Sequence, residues 1–283
     1  MSYKRKEIIG DCTLYLGDCM KVMQGLDDGL VDLTVTSPPY DNLRTYEDTL
    51  MWDFDIFKNI AKEIYRVTKS GGVLVWVVGD STRNGNESGM SFKQALYFKE
   101  IGFNLHDTMI FEKPQACFGS NNCYLQSFEY MFVFSKGKPK TINLIKDREN
   151  VRGGKLCSAT STALKPNGQK AVRKTIKTKK YGRRKNIWRI GVGGGKVNHP
   201  AVFPEKLASG HIDSWSKDND IIFDPFLGSG TTAKASVSSG RKFIGIEVVN
   251  NYFEMSCERI NEAYVQQEKP QPIETVNMFE ESK

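Results

Sequence analysis

The chain has 283 residues, 39% of them apolar and 26% charged, with a formal net charge of +7. That apolar content suffices for one substantial α/β core with a smaller appended lobe, and it excludes disorder as the default. Six cysteines fall at no zinc-like CxxC spacing and three histidines are too scattered to form a cluster, so no metal site is expected, and the thiols are expected to be reduced.

The first residues, MSYKRKEIIGD, are charged and carry no apolar signal region, and no run approaches the length of a membrane span. The expectation is a soluble cytoplasmic protein with no membrane partner. CTLYLGD (12–18) and LVDLTVTS (30–37) are strand-length, β-branched and bounded by turn residues, with CMKVMQGL between them as a short helix. The second run stops at Ser37, Pro38, Pro39 and Tyr40. Proline has a fixed φ and pushes its predecessor into extended geometry, so Ser37 and Pro38 are both stiffened. The Ser37 hydroxyl and the Pro38 carbonyl are acceptors and Tyr40 offers a flat face, a bracket suited to an aromatic amine. Without further context, a strand end followed by a turn-forming proline pair reads equally well.

Residues 53–69 place Phe54, Phe57, Ile60, Ala61, Ile64 and Val67 on one helical stripe, with Gly71 and Gly72 expected as the stop. VLVWVVGD (73–80) reads as a strand buried on both faces, SFKQALYFKEIG as a helix, and HDTMIFEK and EYMFVFSKG as two more strands. This βαβ rhythm predicts a mostly parallel sheet with helices on both sides.

The charge is unevenly placed. From Lys136 to Arg189 there are eighteen Lys or Arg against two acids, Asp147 and Glu149, a local excess of +16 that leaves −9 for the rest of the chain. Such a block is often a solvated surface. Here it is internal and interleaved with Gly153, Gly154, Gly168, Tyr181 and Trp188, which favours a nucleic-acid-contacting element using Lys174, Lys177, Lys179, Lys180, Arg183 and Arg184.

After the basic segment, NDIIFDPFLGSGTTAKASVSSGRKFIGIEVV supplies a strand, a glycine turn (Gly228, Gly230), a small-residue helix, and a second strand ending on Glu247. Glycines admit a ligand close to the backbone, the helix N-terminus lies beside it, and the acid can accept ribose hydroxyls. No GxxxxGK[ST] occurs, which disfavours phosphate-driven nucleotide chemistry. The expected organisation is a first half (1–138), a basic recognition region (139–190), a second half of the same domain (191–265) and a flexible tail (266–283).

Taken together, DPFLGSGTT, TSPPY, HPAVFP and LGDCMKVM resemble the amino-group DNA methyltransferases. Their order, with TSPPY N-terminal and DPFLGSG C-terminal to the basic segment, is similar to the β group of that family, whose fold is circularly permuted. The resemblance implies a Rossmann-like α/β fold with a mostly parallel seven-stranded sheet and a small DNA-recognition insert. It implies S-adenosylmethionine as cofactor, held by Asp18, His199, Pro200, Phe203, Asp224, Phe226, Gly228, Ser229, Gly230, Thr231 and Glu247. Asp18 also reads as a helix cap and His199 as a surface histidine. Catalysis would fall to Ser37, Pro38, Pro39 and Tyr40, acting on a flipped-out base.

The implied partner is double-stranded DNA, with a cognate restriction endonuclease as a further candidate. The implied setting is a prokaryotic cell or phage-infected host, and the chain acts as a monomer or homodimer. Within the family that the sequence resembles, serine before the prolines leans toward cytosine N4, with adenine N6 as the alternative. A non-catalytic DNA-binding protein of the same fold, and an RNA or protein-glutamine methyltransferase, are the competing classes.

Overall fold

A computed structural model describes residues 2–39, 52–114, 124–159, 174–191 and 204–268. In chain order the elements begin with β1 (Arg5–Ile9), β2 (Cys12–Leu16), α1 (Cys19–Met23), β3 (Val31–Thr36), α2 (Phe54–Val67) and β4 (Thr68–Val78). There follow β5 (Thr82–Arg83), β6 (Asn86–Glu87), α3 (Met90–Glu100), β7 (Asn104–Glu112) and β8 (Phe128–Ser135). The basic region contributes β9 (Arg148–Glu149), β10 (Leu156–Ala159), β11 (Lys174–Lys177), β12 (Tyr181–Gly182) and β13 (Ile187–Arg189). Last come α4 (Glu205–Trp215), β14 (Ile221–Asp224), α5 (Thr231–Ser238), β15 (Lys242–Glu247) and α6 (Asn250–Glu268).

One nine-stranded sheet runs β1-β2-β15-β14-β3-β4-β8-β7-β13. Strands β2, β15, β14, β3 and β4 are mutually parallel. Alternation along β4 explains how both faces are covered. Val73, Val75 and Val77 pack with Leu207, Ile212, Ala233, Phe253 and Ile260 of α4, α5 and α6, whereas Leu74, Trp76 and Val78 pack with Val22, Phe57, Ile64 and Phe98 of α1, α2 and α3. No helix among the described residues is long and apolar enough to cross a membrane.

The structure departs from the sequence reading at several places. Helix α2 ends at Val67 instead of at the glycines, because Thr68 is already extended and its hydroxyl donates to the Ile64 carbonyl at 2.6 Å. Gly71 and Gly72 lie inside β4, where a Cβ on Gly72 would come within 3.1 Å of the Asp32 backbone oxygen. The sheet has nine strands where seven were expected: β1 adds antiparallel to β2, and β13 adds parallel to β7. That last strand lies within the region expected to be a separate recognition insert. Trp188 and Ile190 turn inward there and are buried in the main core. At the other end α6 runs past 265 to Glu268, and the Gln267 side chain donates to the Val237 carbonyl at 2.6 Å. Residues 269–283 of the expected tail lie outside the described residues.

Candidate active site

Register places Glu247, Asp224 and Thr36 at the carboxyl ends of neighbouring strands. Glu247 pairs with Leu16, Asp224 with Gly245, and Thr36 with Trp76, so β2, β15, β14, β3 and β4 present their carboxyl ends together. The helix following β3 lies on one face and the helix following β14 on the other. The winding therefore reverses between these two neighbours, the position at which open α/β sheets bind ligands.

Across that reversal the Thr36 hydroxyl donates to Asp224 Oδ1 at 2.6 Å. Asp224 also accepts from the Phe226 N–H at 3.0 Å, which shapes the entry to the glycine loop. Burial pushes the Asp224 carboxyl up to about 7, against the opposing effect of these donors. Loop closure continues with Leu227 N–H to Ile246 O (2.9 Å) and Gly230 N–H to Leu227 O (3.0 Å). Gly228 and Gly230 have φ of 53° and 80°, left-handed values that side chains disfavour. A Cβ on Gly230 would also come within 3.0 Å of the Ser256 side chain on α6.

Glu247 is nearly buried, and burial raises its pKa. Its carboxylate accepts from Gly228 N–H (2.7 Å) through one oxygen and from Val248 and Val249 N–H (both 2.9 Å) through the other. A carboxylate has about four acceptor positions, so capacity remains for a hydroxyl of a bound ligand. Asp18 is exposed at the end of β2 and caps α1 by accepting from Lys21 N–H at 3.0 Å. Pro38 is buried, and Ser37 and Pro39 are half-buried, just beyond β3. The Phe226 ring meets Trp52 edge-on, with centroids 5.5 Å apart, forming an aromatic wall beside the loop. Tyr40, His199, Pro200 and Phe203 lie outside the described residues.

Some contributors have no clear signal in the sequence. Arg259 of α6 donates to Ser229 through one nitrogen, to the carbonyl at 2.6 Å and to the hydroxyl at 2.8 Å, and so holds the loop from behind. Burial lowers its pKa. Thr232, in the first turn of α5, donates to the Val35 carbonyl at 3.3 Å and ties that helix to β3. Asp80, at the end of β4, is buried, but it accepts from Ser88 Oγ (2.9 Å) and Ser91 N–H (3.0 Å), which accounts for it as the anchor of α3.

The predicted basic residues divide. Lys177, Lys179, Lys180 and Arg183 are exposed, whereas Arg184 is paired with Asp147 and lies over the Trp188 ring at 5.0 Å. Trp188 in turn stacks on buried His211, with centroids 4.6 Å apart, and burial pushes that imidazole down to about 3. This stack fastens the base of the insert to α4. Lys174 pairs with Ala159 in the β10–β11 ladder.

Comparison with known proteins agrees with this geometry. A DNA methylase family model of the N6/N4 type matches residues 31–258. The orphan methyltransferase M.BamHII of Bacillus amyloliquefaciens is 51% identical over 263 residues, covering 90% of this chain and 91% of that one. The type II beta methyltransferase M.BslI of Bacillus sp. (strain NEB-606) is 31% identical over 275 residues, 88% of this chain but 28% of that longer protein. Among solved structures, the cytosine-N4-specific PvuII DNA methyltransferase shares the fold with a TM-score of 0.69 and 18% identity, covering 94% of this chain and 96% of that one. A complex of M1.HpyAVI with S-adenosylmethionine gives 0.59 and 23%, covering 88% and 99%.

Proposed function

Because the chain belongs to the N6/N4 family of DNA methylases, S-adenosylmethionine-dependent enzymes that act on amino groups of DNA bases, we propose that it methylates the exocyclic 4-amino group of cytosine in a flipped-out base. The observation that carries this reading is the juxtaposition of two half-sites. Ser37 and Pro38 follow β3, the glycine loop from Pro225 to Gly230 follows β14, and the two strands are hydrogen-bonded neighbours. The cofactor, when bound, supplies an electrophilic methyl group. The residues present fit it: Glu247 retains acceptor capacity for a ribose hydroxyl, and Gly228 and Gly230 remove side-chain bulk where the loop must approach a ligand.

The amine of a base is a poor nucleophile because its lone pair is delocalised into the ring. If the Ser37 hydroxyl and the Pro38 carbonyl accept its two hydrogens, the nitrogen is drawn toward tetrahedral geometry and its lone pair is aimed out of the ring plane. Tyr40 is proposed to stack on the base. A serine hydroxyl accepts without leaving an ionised carboxylate to be desolvated. The choice of cytosine over adenine rests on the resemblance, since serine at this position leans toward cytosine within the family. Methylated-nucleoside analysis of treated DNA tests the assignment. The orphan status in the name of the 51% identical relative supports an enzyme working without a paired endonuclease.

DNA is proposed to lie against the exposed cations of the insert. Reversing Lys177, Lys179, Lys180 and Arg183 to Glu should weaken DNA binding and flatten its salt dependence by about one unit of log–log slope per lost phosphate contact. Cofactor affinity, measured by calorimetry, should be unchanged. Arg184 is left out of this set because its ion pair with Asp147 and its stacking on Trp188 give it a structural task. A quadruple variant with the original affinity and slope would make this run a solvated surface.

A further inference from the structure

We propose that Thr36 is a positioning residue that sets the base-holding bracket against the cofactor loop through its hydrogen bond to Asp224. The inference deepens the reading above and rests on it. Thr36 is the last residue of β3 and immediately precedes Ser37, and Asp224 is the last residue of β14 and opens the DPFLGSG loop. The two are 188 positions apart in sequence, and both are buried, Thr36 fully and Asp224 at 1% exposure. Their 2.6 Å bond is therefore a direct side-chain link between segments that must be held in line for methyl transfer. The only backbone pairing between β14 and β3 is the short ladder of Ile222 with Leu33 and Phe223 with Thr34, which stops below this level.

Asp224 needs that donor. Besides Thr36, the groups around it are the Phe226 N–H, the Thr232 hydroxyl from α5, and one charged neighbour, Glu247 from β15, which disfavours its ionisation. The Thr36 hydroxyl favours the ionised form, in which both carboxylate oxygens are acceptors. Protonation, on the oxygen that Thr36 does not contact, removes the charge that strengthens this hydrogen bond and so weakens the bracket-to-loop link. Turnover should consequently fall as pH drops through the Asp224 transition, and losing the hydroxyl should move that acid limb to higher pH.

The test compares Thr36→Val, which removes the hydroxyl at nearly constant shape, with Thr36→Ser, which keeps it. Turnover on DNA is followed between about pH 6 and 9, with cofactor affinity from calorimetry and folding from thermal melting. Thr36→Val should lose about 10- to 100-fold in turnover at neutral pH, with cofactor affinity at the alkaline end within about threefold of wild type and the acid limb displaced upward. Thr36→Ser should restore both. Wild-type turnover with an unmoved limb in Thr36→Val, or a Thr36→Ser protein as slow as Thr36→Val, would overturn the inference while leaving the proposed function standing. A wild-type protein inactive on DNA would overturn the proposed function and this inference with it. Asp224→Asn reads the same bond if Thr36→Val does not fold: its acid limb should vanish, and a limb that persists would overturn the inference.

Discussion

Ser37→Ala should lower the methyl-transfer rate by about 10²-fold or more and leave S-adenosylmethionine affinity within about twofold. In the proposed bracket the substitution would leave the Pro38 carbonyl as the only acceptor, so one amine hydrogen would no longer be held. The nitrogen lone pair would then stay conjugated with the base for more of the approach. Ser37 is half-buried beyond the last residue of β3, and the extended geometry imposed by Pro38 does not depend on its hydroxyl. The backbone of the bracket should therefore survive. Single-turnover rates with saturating cofactor, set beside calorimetric affinities, separate the two effects. A parallel loss of affinity would mean that Ser37 serves the cofactor instead of the base.

Gly228→Val should have the larger effect on cofactor binding. Its φ of 53° lies in the left-handed region, where a β-branched residue is an outlier costing about 1–3 kcal/mol. Its N–H donates to Glu247 at 2.7 Å, so a distorted loop also misplaces the acid proposed to hold the ribose. Affinity for S-adenosylmethionine should fall by about 10²-fold or more, while melting shows a folded protein of lower stability. Gly228→Ala should fall between the two. A folded Gly228→Val protein with unchanged affinity would remove this loop from the cofactor site.

The unit from β14 through Glu247 was legible because glycine spacing, small-residue helix and terminal acid are all local features of sequence. The end of β3 before the prolines was legible for the same reason: Pro38 and Pro39 restrict the backbone wherever they stand. The bond between Thr36 and Asp224 was not, since it depends on β3 and β14 becoming neighbours across 188 positions. Thr36 stands inside TSPPY, where the sequence marks it only as the end of a strand. Arg259 was equally silent, one basic residue on a helix whose contact with Ser229 is fixed by the packing of α5 on α6. The βαβ rhythm predicts a mostly parallel sheet, which the structure has, but it does not mark which strands depart from that order: β8 runs antiparallel to both β4 and β7 and sits between them. An apolar run buried on both faces carries no mark of its direction. Asp18 was read both as a cap and as a cofactor contact, and the structure realises the cap.

The most direct measurement is modified-nucleoside mass spectrometry on unmethylated DNA incubated with the protein and S-adenosylmethionine. The predicted result is 4-methylcytosine, produced by the wild-type protein and sharply reduced with Ser37→Ala. Recovery of 6-methyladenine alone would contradict the base assignment, and no methylated nucleoside from a folded, cofactor-binding protein would contradict the proposed activity itself.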